Sequence, residues 1–113
     1  MSDPKSFGTL IPDQWRDLPY QEFRPGVQVH YLWSAAEGPV CAILRYAPGA
    51  SVPRHRHTGL ETILVLEGTQ SDESGDFPAG SLIFNPAGSI HRVWSAAGCA
   101  VLIQWERPVE ILD

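Results

Sequence analysis

From residue 26 onward, short apolar runs alternate with turn residues, and the spacing predicts strands rather than helices. Across 27–33, Val27, Val29, Tyr31 and Trp33 fall on one face and Gln28 and His30 on the other, the period of two expected of a half-buried strand. Further strand-like runs follow at 40–46, 60–67, 81–85, 90–95 and 99–105. Gly38-Pro39, Pro48-Gly49, Gly68, Pro78-Ala79-Gly80, Pro86-Ala87-Gly88 and Gly98 separate them. Pro presets the first torsion of a tight turn and Gly accepts the positive one that follows. Short strands at this spacing predict an all-β sandwich or small barrel. Residues 1–25 hold Pro4, Pro12, Pro19 and Pro25 without a sustained period. They are expected to form an irregular arm that packs Trp15 and Phe23 onto a single barrel domain over 26–113.

Three runs are apolar on both faces: Val40-Cys41-Ala42-Ile43-Leu44, Ile63-Leu64-Val65-Leu66 and Ala100-Val101-Leu102-Ile103. A strand with one face in water should alternate. Their outer faces therefore need a cover from a second sheet, the arm or another subunit, and the expectation is a homodimer.

Composition narrows the function classes. A chain of 113 residues has room for one domain, and 43% hydrophobic content excludes general disorder. The net charge is −5, and Arg54 with Arg56 is the only basic cluster, so no footprint for nucleic acid or an anionic membrane is present. No apolar run approaches the ~20 residues that span a bilayer, and the amino terminus lacks a secretion-signal pattern. Cys41 and Cys99 lie within apolar runs and read as buried free thiols, so the expected location is cytoplasmic.

The candidate chemistry lies in the histidines. His55 and His57 are two residues apart, hence on one face of an extended segment, and Glu61 follows four residues later. Glu61 shares its face with Ile63 and Val65, and a carboxylate aligned with core residues needs a partner. His91 comes after the Pro-Ala-Gly turn. Three imidazoles and a carboxylate are a suitable donor set for a divalent transition metal; Fe(II), Zn, Mn and Ni are not distinguished by it. Octahedral coordination would leave two positions for water, O₂ or a bidentate substrate, whereas tetrahedral zinc would be closed. His30 reads as a histidine satisfied by an ordinary hydrogen bond. The acidic stretch Asp72, Glu73, Asp76 reads as a solvated turn tip.

Gly49-x₅-His55-x-His57-x₃-Glu61-x₆-Gly68 and Gly80-x₅-Pro86-x-Gly88-x₂-His91 resemble the two signature motifs of the cupin superfamily. At average usage, the four glycines and one proline alone match roughly once in a million placements. One position departs: Ser95 stands where the pattern has Asn, which is not a metal ligand in the family. The segments Arg24-Pro25-Gly26-Val27, Leu66-Glu67-Gly68, Ser74-Gly75-Asp76-Phe77-Pro78-Ala79-Gly80 and Gly98-Cys99 are similar to the cupin domain of ChrR-type anti-sigma factors, a branch that includes small dioxygenases. The resemblance implies an RmlC-like double-stranded β-helix, a jelly-roll barrel of two antiparallel sheets. It also implies His55, His57, Glu61 and His91 as metal ligands.

Around such a centre, strand parity turns Val93 and Ser95 inward and Arg54, Arg56, Arg92 and Trp94 outward. Tyr31, Trp33, Phe84 and Trp105 are candidate pocket walls, and Gln104 a candidate to orient a ligand or substrate. Two functions compete. One is a metal-dependent dioxygenase-like enzyme, or a related lyase or isomerase, acting on a small organic carbonyl or enol compound. The other is a non-catalytic sensor of a metal or small molecule, akin to the cupin half of ChrR-type regulators. Only about 25 residues precede the expected barrel, and a chain with no output domain favours the enzyme. Beyond the ligands, no residue identifies a reaction.

Overall fold

The strand that carries the apolar run 63–66 organises the molecule. In the computed structural model, which describes residues 3–112, it is the twelve-residue strand β5, Glu61–Asp72. The other strands are β1 Gln21–Arg24, β2 Val27–Ser34, β3 Val40–Tyr46, β4 Ser51–Arg56, β6 Gly75–Pro78, β7 Leu82–Asn85, β8 Ile90–Trp94, β9 Cys99–Trp105 and β10 Glu110–Ile111. Every pairing is antiparallel, in the order β1-β2-β3-β9-β5-β8-β4-β10, with β6 and β7 also on β5. The first half of β5 pairs with β9 and β7; its last residues pair with β6 and β8. One strand thus belongs to both sheets and closes the jelly roll.

The crossing point is Gly68, whose φ is +72°. A β-carbon there would lie 2.2 Å from the Gly98 carbonyl oxygen and 2.9 Å from Cys99 Cα, so only glycine lets β5 press against β9 while it bends. The sequence suggested that the strand stops at this glycine. It continues instead to Asp72, and β6 returns as its hairpin partner, so Asp72 and Asp76 of the expected acidic tip lie in paired strands while Glu73-Ser74 form the exposed turn between them.

Alternation sets the interior. Ile63 and Val65 point inward against Ile103 and Val101, and all four are buried. The outward side chains of the same strands form a second layer: Trp15, fully buried, is clustered with Leu32, Ile43 and Ala100, and Leu66 and Leu102 pack against them. Trp15 Nε1 donates to the Pro12 carbonyl at 2.8 Å, and Tyr20 Oη to the Trp15 carbonyl at 2.7 Å. The arm therefore covers much of the doubly apolar sheet for which a second subunit was expected. It is also less irregular than its prolines suggest: Gln14–Asp17 is a 3-10 turn, and β1 pairs with β2 around the Pro25-Gly26 turn, where Gly26 has φ +79°. Residues 1–2 of the expected arm and 113 of the expected barrel lie outside the described residues. No helix among the described residues is long and apolar enough to cross a membrane.

Candidate metal centre

His55 on β4 pairs directly with His91 on β8, and His57 follows just beyond β4. The His57 amide donates to the Ser89 carbonyl at 2.9 Å, and the Gly88 amide to the His57 carbonyl at 2.7 Å, which ties the turn before β8 to the end of β4. The three rings are buried, with centroids 4.7–5.1 Å apart, and one ring nitrogen from each lies within 4.8 Å of the others.

Hydrogen bonds decide which nitrogen faces the centre. Nδ1 of His55 donates to the Pro53 carbonyl at 2.7 Å. Nδ1 of His57 contacts the Ser89 carbonyl at 3.1 Å and Ser89 Oγ at 2.9 Å; that hydroxyl donates to the Pro86 carbonyl and so accepts from the ring. Nδ1 of His91 donates to Asp72 Oδ2 at 3.0 Å. With each proton on Nδ1, neutral rings present the bare Nε2 lone pair to the interior. His91 Nε2 is buried and has no hydrogen-bond partner. His57 Nε2 faces Glu61 Oε1 at 3.1 Å, an acceptor against an acceptor unless a cation lies between them. In the metal-free protein a proton competes for that place. Burial opposes charge on His57, but the Glu61 carboxylate outweighs it and raises the pKa. Burial lowers the His55 pKa despite the Pro53 carbonyl, and the neighbouring imidazoles add to that. An unpartnered nitrogen, a carboxylate aimed at an imidazole and three oriented rings fit a divalent transition metal.

Glu61 is 4% exposed, shares its inward face with Ile63 and Val65 as expected, and accepts from Asn85 Nδ2 at 3.1 Å. It contacts His57 but is not within the mutual 4.8 Å grouping of the three rings. A cavity of about 430 Å³ opens beside His55 and Glu61 and is walled by Tyr31 and Trp105, two of the expected pocket residues. Trp33, Phe84 and Gln104 do not line it. A bulge between Tyr31 and Trp33 shifts the β2 register and leaves Trp33 exposed. Phe84 and Gln104 pair with Thr62 on the outer face, where both are exposed. The parity expected of β8 holds: Val93 and Ser95 are buried, and Ser95 Oγ donates to the Thr69 carbonyl at 2.6 Å. Arg54 and Arg56 face outward, Arg56 pairing with Glu110, and His30 Nδ1 is satisfied by the Pro19 carbonyl.

Sequence reading missed Asp72, Ser89 and Asn85. Asp72 follows the bend at Gly68, so its contact with His91 depends on a register that the sequence pattern did not display. Glu73 accepts the Arg92 amide at 2.9 and 3.1 Å, which lowers its pKa and fastens the β5–β6 turn to β8.

Residues 12–107 match the family of ChrR cupin-like domains. The chain belongs to that family. This cupin-like chain is 33% identical over 76 residues to the DNA damage-repair/toleration protein DRT102 of Arabidopsis thaliana, covering 62% of the chain and 24% of the plant protein. It superposes on the Rhodobacter sphaeroides SigE–ChrR anti-sigma complex with a TM-score of 0.71 at 28% identity, over 80% of this chain and 50% of that one. An acetylacetone dioxygenase from Acinetobacter johnsonii shares the fold, with a TM-score of 0.77 at 20% identity over 83% and 72% of the two chains. The cupin-like chain thus spans about a quarter of the plant relative and half of the matched anti-sigma complex chain.

Proposed function

We propose that this cupin-like protein is a metal-dependent enzyme of the dioxygenase type, or a related lyase or isomerase, acting on a small organic carbonyl or enol compound. The observation that carries the reading is the opposition of His57 Nε2 and Glu61 Oε1 beside a cavity large enough for such a molecule. His55, His57 and His91 would hold a divalent transition metal, with Glu61 as the fourth ligand. When bound, the ion supplies Lewis acidity toward a carbonyl or enolate oxygen and, if redox-active, a means of using O₂. The chain orients the three imidazoles through Pro53, Ser89 and Asp72 and restrains Glu61 through Asn85. Tyr31, Trp105 and the apolar interior wall the cavity beside the reacting end.

Similarity to the structure of an anti-sigma complex supports a second reading, a sensor module whose cavity binds a metal or small molecule without turnover. Metal analysis of the purified protein, then O₂ consumption by the Fe(II) form against a panel of diketones and hydroxyaryl ketones, separates the readings. Turnover that disappears in His91→Ala supports the enzyme. Full metal occupancy without turnover in any metal form leaves the sensor. Protein that takes up no metal, with all three histidines intact, removes the metal centre itself.

Two further expectations belong to this proposal. The free thiols Cys41 and Cys99 suit a reducing compartment such as the cytoplasm. Leu82 and Phe84, which the arm leaves 58% and 60% exposed, support contact with a second copy of the chain.

A further inference from the structure

The cavity beside the histidines also reaches a polar group that the metal centre does not use. Arg24, the last residue of β1, lines it together with Tyr46 and Gln70. Its guanidinium lies 5.7 Å from the centre of the Phe23 ring, and its Nε is buried without a hydrogen-bond partner. Among the described residues, no carboxylate comes within ion-pair distance of Arg24. Tyr46 does not supply the missing charge, because burial, with Cys99 and Glu61 adding to it, raises its pKa against the opposing pull of Gln70 and Arg24 and keeps it a neutral phenol. Much of the remaining wall, including Leu44, Val52, Ile63 and Ile103, is apolar. A cation whose Nε is desolvated and unpaired, at the edge of an apolar chamber, is costly unless an anion joins it.

We propose that the cavity takes a small amphipathic organic anion, with a carboxylate seated on Arg24, an apolar body along the barrel interior and its other end toward His55 and Glu61. The proposal rests on reading the cavity as the substrate site and names the substrate class; Arg24 sets specificity and takes no part in the bond-breaking. A guanidinium presents donors in a fixed fork that matches a carboxylate, which a neutral amide of the same shape does not reproduce.

The test compares 3-phenylpropionate with 3-phenylpropanamide, using the protein as purified and after metal removal, with tryptophan fluorescence and thermal shift as readouts. The acid should bind about tenfold or more tightly than the amide in both preparations. Arg24→Gln should abolish the preference, and Arg24→Lys should keep part of it. Equal affinity for acid and amide in the unmodified protein overturns the proposal, a result independent of whether any variant folds. So does an acid preference that survives in Arg24→Gln. Carboxylate binding that requires metal and ignores Arg24 overturns it while leaving the metal centre intact. Arg24-dependent binding in a protein that takes up no metal supports it while removing that centre.

Discussion

Asp72, Ser89 and the Pro53 carbonyl each hold one histidine by Nδ1, so the direction of three lone pairs depends on side chains and backbone that would never touch a metal. Replacing Asp72 with Asn keeps the shape but removes the charge that strengthens His91 as a donor. Metal affinity should fall about 10–100-fold, read by chelator competition. His57→Ala should lose the metal. The metal-induced rise in melting temperature should go with it, worth about 2.7 kcal/mol at ~100 times Kd, as calorimetry with and without metal would show. Protons compete for the same lone pairs. The raised pKa of His57 makes it the first of the pair to take a proton as pH falls, and the lowered pKa of His55 makes it the last. Metal should therefore be retained above the usual imidazole range and released as pH drops through it, measured as bound metal after dialysis across that interval.

Among the strands, β3 and β9 have the bounds their apolar runs predicted, because a strand buried on both faces displays its whole length. The elements that went unread depend on register. Gly68 looked like a terminator because glycine at the end of an apolar run usually marks a turn, but here it bends a strand that continues. That one misreading turned Asp72 from a histidine partner into a solvated tip. The bulge after Tyr31 likewise reversed the face of Trp33, which strict alternation had placed in the pocket. His55 and His57 were legible from their two-residue spacing, and the resemblance to the cupin motifs joined His91 to them. Their orienting partners were not legible, since those come from separate strands. Gly68→Ala should destabilise the protein by at least about 2 kcal/mol, through the forced torsion and the clash with Gly98, visible in denaturant melts.

For the molecule as a whole, the arm decides how much of the sheet meets solvent. Trp15 is the plug of the outer layer, and Trp15→Ala should cost about 3–5 kcal/mol in thermal or chemical unfolding. What the arm leaves bare is the end of the same face around Leu82 and Phe84. If that patch joins two copies, light scattering should give twice the 12.5 kDa chain mass for the unmodified protein. The single-chain mass is expected for Leu82→Glu with Phe84→Glu, both positions being exposed enough to accept charge without unfolding.

The two ends of β5 meet the same cluster, Glu61 at His57 and Asp72 at His91, although a straight strand of that length would hold them roughly 36 Å apart. The strand acts as a clasp sprung around the three rings, with Gly68 as its bow. Pulling either end outward would strip a carboxylate from a histidine, so filling the centre should tighten the whole clasp at once. In amide hydrogen exchange, residues on both sides of Gly68 should slow together when metal is added, including those far along the strand from any ligand.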